Sequence, residues 1–307
     1  MLQDSILVKF ISKKKYVDDF LSGKLYMNSL YYFWNEYPLE KAKQEKERII
    51  KETGANPDDV LVPIKYDLNN QQADMFEGTI AFGRDRIIES DFRGNVLMDS
   101  AYRSVGYGYC NALCFYRLDY TISQNILSYN TGDMAGFGEY VVIIDNQSEL
   151  IRRIHKKSEA LGLKYLCGNV SYKRPKKNGV PIEINSHHIM IKTDPPIDFS
   201  AYNTDGAIVY AHDAFMKMDK YKNQNEWRVL LYRGVKETRA YQLDIGDIGD
   251  IAHWVKTGEL TNEIDKLLNK GVRPFCKGFY GNIDRREMRE KFYRLGENKA
   301  HIISIIG

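Results

Sequence analysis

Residues 217–225 are polar and rich in lysine, and they run directly into Trp227-Arg228-Val229-Leu230-Leu231-Tyr232, an aromatic and aliphatic run of strand length. A run of this kind needs at least one buried face, so the fold must contain a sheet that receives it. Glu226 stands at the junction, at what would be a sheet mouth, where a rigid scaffold can hold an acid or base against a ligand. Two accounts of Glu226 remain open. It is a functional carboxylate whose pKa the neighbouring aromatic and Arg228 shift, or a solvated strand cap paired with Arg228 or a nearby lysine. On residue chemistry alone the second arrangement is the commoner one.

At 307 residues the chain can bury a large core, and 22 Tyr against only 8 Pro mark a folded protein. Forty-four basic and 41 acidic side chains leave a formal charge of +3, so bulk attraction to nucleic acid is not argued by net charge. Cys110, Cys114, Cys167 and Cys276 form no C-x-x-C pair and no metal-ligand spacing, and are expected to be reduced thiols. The N-terminus lacks a signal-peptide pattern, and no apolar run approaches the roughly 20 residues that span a bilayer. A cytoplasmic, soluble protein without membrane contact is therefore expected; the oligomeric state is left open.

Taken in order, residues 6–11 predict a first strand, Ser12 the cap of a helix over 13–21, and Gly23 its stop. Further strands are expected over 24–28, 79–88, 111–116, 139–144, 163–172, 189–191, 240–245, 274–280 and 301–306. Helices are expected over 39–53, 148–161, 207–217, 261–269 and 284–295, with Pro195-Pro196 breaking the chain before the third of these. Strands outnumber helices, which predicts an α+β fold with a mixed or largely antiparallel central sheet and flanking helices. Residues 1–250 read as the main domain and 251–307 as a helix and strand extension packed on it.

Several clusters carry candidate chemistry. Tyr31 and Trp34 belong to an aromatic group after the second strand, which is core or a shelf for a flat ring. Asp74 and Glu77 share one face of a helical turn and could bind a divalent ion, although a turn cap or lysine pairing is the commoner use and no metal is expected. Lys173, Arg174, Lys176 and Lys177 form a basic hairpin-like run, a phosphate or nucleic-acid contact or a solvated turn. His187 and His188 would face opposite sides of a strand and share no metal.

Lys24-Leu25-Tyr26-Met27-Asn28-Ser29-Leu30 with Phe33, then Asp74-Met75-Phe76-Glu77-Gly78, Leu113-Cys114-Phe115-Tyr116, Phe137-Gly138-Glu139-Tyr140 and Gln224-Asn225-Glu226-Trp227-Arg228 resemble, in order, blocks of a widespread bacterial family of uncharacterised proteins. The match runs to about Asp250. The layout is also similar to ADP-ribosyltransferases of the poly-ADP-ribose polymerase and diphtheria-toxin type. That resemblance implies an ADP-ribosyltransferase-like fold with NAD as the small molecule consumed. It implies that Lys9 holds the adenine-side ribose, Tyr26 stacks on nicotinamide, and Glu226 bonds the nicotinamide ribose and stabilises the transition state. Tyr31, Trp34 and Arg228 would line the same site. A lysine stands where that family carries His or Arg, offering a point charge in place of a ring or fork.

Two classes of function follow. The first is an NAD-consuming transferase or glycohydrolase, in the context of a bacterial phage-defence or toxin effector. It requires Lys9, Tyr26 and Glu226 in one concave site, and it fails if Lys9 and Glu226 lie on opposite sides of the sheet. The second is a non-enzymatic binding or sensor module, recognising nucleic acid or a phage component through Lys173, Arg174, Lys176, Lys177 and exposed tyrosines. A metal-dependent phosphodiesterase built on Asp74 and Glu77 is a lesser third.

Overall fold

The computed structural model describes residues 3–33, 37–57, 81–84, 98–104, 108–123, 126–129, 134–173, 176–177, 180–181, 189–198, 214–269, 280–283, 287 and 299–306. The first half comprises β1 (Gln3–Ile11), α1 (Lys14–Leu21), β2 (Lys24–Ser29), α2 (Tyr37–Thr53), β3 (Ala81–Arg84), β4 (Met98–Ser104), β5 (Asn111–Ser123), β6 (Ile126–Tyr129), β7 (Tyr140–Ile144) and α3 (Gln147–Ala160). The second comprises β8 (Lys164–Asn169), β9 (Ser171–Lys173), β10 (Lys176–Lys177), β11 (Val180–Pro181), β12 (Ile189–Asp198), β13 (Met216–Met218), β14 (Glu226–Tyr232), β15 (Tyr241–Asp244), β16 (Ala252–Lys256), α4 (Leu260–Asn269), β17 (Tyr280–Gly281) and β18 (Lys299–Ile306).

Ten strands form one sheet along the path β16-β7-β1-β5-β14-β8-β17, with β2, β15 and β6 attached beside it. All of its pairings are antiparallel. With helices laid against it, the chain is α+β with a largely antiparallel central sheet. A second sheet runs β12-β18-β4-β3, and β10-β11 and β13-β9 are separate pairs. Residues beyond 250 supply β16 and β17 to the central sheet and β18 to the second.

The register divides the central sheet into two faces. Leu7, Leu113, Phe115, Val142, Trp227, Val229 and Leu231 lie on one, covered by Val17 and Phe20 of α1 and Leu150 and Ile154 of α3. The other carries two apolar clusters. Ile6, Val8, Tyr116 and Leu118 pack under Leu260 and Ile264 of α4. Ala112, Leu166 and Leu230 pack with Leu30, Ala214 and Phe215. Coverage on both sides is why β14 reads as an almost unbroken apolar run, with its first six positions buried.

Several elements differ from the sequence-based expectation. Lys13, not Ser12, occupies the N-cap of α1: its carbonyl takes the first helical bonds from Tyr16 and Val17, and no side chain caps the turn. The strand expected over 163–172 is broken at Val170, whose N–H turns to the Glu226 carbonyl. Pro195 and Pro196 do not stop the chain. They lie within β12, at the edge of its sheet, where the register with β18 shifts between Lys192 and Ile197 and releases the prolines from donating to the ladder. Of the helix expected over 207–217, residues 214–215 are a turn, 216–217 belong to β13, and 207–213 lie outside the described residues. Only Tyr280 of the strand expected over 274–280, and only Glu287 of the helix expected over 284–295, are described.

Gly23 joins α1 to β2 with φ +86, and a Cβ there would stand 1.8 Å from the Gly246 carbonyl oxygen. The close approach lets Ile245 donate to Gly23 and Ile248 donate to Leu21, docking the loop after β15 on this turn. Gly23→Ala therefore meets both a left-handed backbone and a backbone clash. It should cost roughly 1–3 kcal/mol or more, read as a lowered urea midpoint at unchanged m-value.

Candidate functional site

β5 has β14 on one side along 111–116, but two different neighbours on the other. β1 pairs with it from Gln3 to Val8 and then continues against β7 through Ile11. β2 touches it only at Asn28 and Ser29. The sheet therefore parts beside residues 113–115. Because the Arg117 N–H donates to Asn225 across the β14 side, backbone alternation turns the Cys114 carbonyl into this parting. Lys9 fills it: its ammonium donates to the Cys114 carbonyl at 2.9 Å, in place of a ladder bond.

Glu226 enters β14 from a 3-10 turn, Asp219–Gln224, through Asn225 at φ 39. Asparagine tolerates this left-handed conformation better than most residues. Its side chain is fixed as well, accepting from Arg117 at 2.9 Å and donating to Asp119 at 2.8 Å. The register then places Glu226 opposite Tyr116 and Arg228 opposite Cys114, on the face between the two apolar clusters.

There the carboxylate is 5% exposed and bound at both oxygens. Arg228, fully buried, meets Oε1 through Nε at 2.7 Å and also donates to the Ala214 carbonyl. Lys217 meets Oε2 at 2.7 Å. The Lys217 ammonium also donates to Gln224 Oε1 at 3.0 Å and lies 5.9 Å from the Tyr221 ring centroid. The Glu226 N–H donates to the Tyr172 hydroxyl at 2.7 Å. Burial alone would raise the Glu226 pKa, but Arg228, Lys217 and a hydrogen bond from Cys114 outweigh it and hold the carboxyl down at about 2. Burial raises the Tyr172 pKa, and the Glu226 charge adds to that rise. Burial lowers the Lys9 pKa, while Cys114 and Glu226 draw it back up.

Glu226 is thus neither of the two arrangements weighed above in simple form: it is paired with Arg228 and with a lysine, but inside the protein. Tyr26 is 59% exposed; Leu25 and Met27 on either side of it enter the core of the opposite face, so Tyr26 rises on the Glu226 side. Tyr31 packs against the Leu30 and Ala112 cluster. Lys9 starts from the opposite face, in register with Val142, so its Cβ and Glu226 do not share a side. Its ammonium nevertheless ends in the parting, where it donates to the Cys114 carbonyl and feels the Glu226 charge. Trp34, Asp74, Glu77 and Arg174 lie outside the described residues, as do His187 and His188. Lys173 lies in β9, and Lys176 and Lys177 form one side of the β10-β11 hairpin. Among the described residues no three His, Cys, Asp or Glu side chains converge to hold a metal.

Sequence reasoning missed Lys217, Gln224, Tyr221 and Tyr172. The first three fall in the stretch expected to be solvated, yet Lys217, Tyr221 and Gln224 are buried. No protein-family model, no curated protein and no solved structure matches the chain.

Glu226→Gln leaves two cations on a neutral amide and should cost about 3–5 kcal/mol in chemical denaturation at neutral pH. The pH dependence has a definite sign. The folded-state pKa of Glu226 lies below its ordinary 4.5, so its ionised form stabilises the fold above that pH, and the contribution is lost as pH falls toward about 2. The stability difference between wild type and Glu226→Gln should shrink across that window; a constant difference would show that the charge is not its source.

Proposed function

We propose that the chain is an NAD-consuming protein of ADP-ribosyltransferase type, a transferase or glycohydrolase, with Glu226 as its carboxylate and a bacterial phage-defence or toxin effector as its setting. One observation carries this reading: the Lys9 ammonium, rooted on the opposite face, reaches into the parting of the sheet, where the Glu226 charge acts on it, and Tyr26 stands exposed on the same face as Glu226. The setting rests on the sequence resemblance alone.

The residues present fit such a substrate in three respects. Glu226 is ionised, as charge stabilisation demands. The Tyr26 ring is free to stack on a flat base. The Lys9 ammonium has three donors, of which the Cys114 carbonyl takes one, leaving others for a ribose or phosphate oxygen. In the reaction the bond between ribose C1′ and the nicotinamide nitrogen breaks, nicotinamide leaves with the electron pair, and water or an acceptor bonds C1′ and gives up a proton. Glu226 would face the positive charge that develops at C1′, with Arg228 fixing the carboxylate from within β14.

Purified protein should release nicotinamide from NAD, and Glu226→Gln should lower that release about 10²-fold or more at equal folded fraction by circular dichroism. No release by wild type, together with no NAD-dependent rise in melting temperature, overturns the proposal.

A separate surface favours the second reading, a non-enzymatic binding module. The Lys14 ammonium lies 4.5 Å from the centroid of Trp254, whose ring meets Tyr140 edge-on at 5.6 Å, and Tyr16 is exposed nearby on α1. Bases stack on exposed aromatics beside lysines. Salt-dependent retention of single-stranded RNA, reduced in Trp254→Ala, would favour this account.

A further inference from the structure

We propose that Lys217 is an internal cation that keeps Glu226 occupied until a cationic substrate displaces it, an autoinhibitory contact that rests on the NAD-consuming reading of Glu226. The two cations on this carboxylate have different standing in the fold. Arg228 lies two residues along the same strand, flanked by β5 and β8, so it stays with Glu226 as long as the sheet exists. Lys217 comes from β13, three residues long and paired with β9 outside the central sheet. Withdrawing the Lys217 ammonium gives up its contacts with Glu226, Gln224 and the Tyr221 ring and leaves the ten-stranded ladder intact.

The place its ammonium fills is built for a cation. A carboxylate oxygen stands at 2.7 Å, an amide oxygen at 3.0 Å and an aromatic ring centroid at 5.9 Å. Carboxylate, neutral oxygen and ring quadrupole all favour positive charge. Oxidised NAD carries its positive charge on the nicotinamide ring and develops it at C1′ as the ring departs. Such a substrate competes with Lys217 for Glu226 Oε2, and the two exclude each other. The linkage is reciprocal, so removing the internal cation tightens the external one. Glu226 keeps Arg228 when Lys217 is gone, which distinguishes this change from the loss of the carboxylate itself.

Lys217→Met keeps a chain of similar length without the charge, and Lys217→Arg keeps the charge. Nicotinamide release and the NAD-dependent rise in melting temperature are measured for both beside wild type. Lys217→Met should release nicotinamide about 10-fold faster or more at subsaturating NAD, with Lys217→Arg at or below wild type. An active wild type with Lys217→Met no faster overturns the role of Lys217 and leaves the NAD reading standing. Neither release nor a thermal shift from any of the three, all folded by circular dichroism, overturns both. A measurement on wild type covers a variant that fails to fold: acylation of Lys217 by an N-hydroxysuccinimide ester, read by peptide mass spectrometry, should rise severalfold on saturation with NAD. Labelling that stays constant or falls while NAD binds overturns the displacement.

Discussion

A carboxylate and two cations sit inside a sheet face that is otherwise apolar, and the arrangement around them follows from the need to satisfy all three. Cys114, Glu226 and Arg228 interrupt the row between Val8 and Tyr116 on one side and Ala112 and Leu230 on the other. Each buried ion carries a desolvation penalty of several kcal/mol, so every oxygen and every guanidinium arm near it must find a partner. Arg228 takes one oxygen of Glu226 and Lys217 the other, and the Ala214 carbonyl takes a further arm of Arg228. Ala214 and Lys217 both lie in the segment that precedes the 3-10 turn. The charges in the sheet help to locate residues 214–224, together with the packing of Ala214 and Phe215 in the apolar cluster and the three-residue ladder of β13 with β9. Buried ion pairs as a class add little stability over well-packed apolar residues of similar volume, so they are weak evidence for a purely stabilising role.

The parting of the sheet is held from both sides. On one, Gly138 lies so close to β1 that a Cβ there would fall 2.6 Å from the Ile11 backbone, and its carbonyl accepts from the Thr257 hydroxyl at 2.6 Å. That keeps the end of β1 with β7 and β16, away from β5. On the other side, the buried amide of Asn111 donates to the Met27 and Arg239 carbonyls, tying β2 to the start of β5 and to the approach to β15. Between them the Cys114 carbonyl takes its hydrogen bond from Lys9, whose side chain is long enough to reach it from the far face.

The strands were legible where apolar patterning was dense. Leu230 and Leu231 of β14, Val141 and Val142 of β7, and Leu150 with Ile154 of α3 announce burial by residue type and spacing, and all are buried. The α+β class follows from those elements. What was not legible depends on partners distant in sequence. Nothing local shows that β1 leaves β5 after Val8 while its other edge pairs with β7, because a strand's apolar pattern is the same whichever strand lies beside it. The prolines at 195 and 196 misled for a similar reason: a proline forbids donation to the ladder, and only the pairing shows that no donation is required there.

The lysine-rich approach to β14 misled most, because composition marks a segment as solvated only when its charges lack partners inside. Lys217 is nine residues before Glu226, a separation with no helical or strand periodicity to link them. The 3-10 turn and the left-handed Asn225 fold the chain back, so that Lys217 meets Glu226, Gln224 and Tyr221 in one place. The same turn sets the difference between the two cations. Arg228 is brought to Glu226 by the pleat of a central strand, and Lys217 by β13, which pairs with β9 outside that sheet. In the displacement proposed for Lys217 the carboxylate keeps Arg228 and stays ionised, and Oε2 then faces the incoming positive charge.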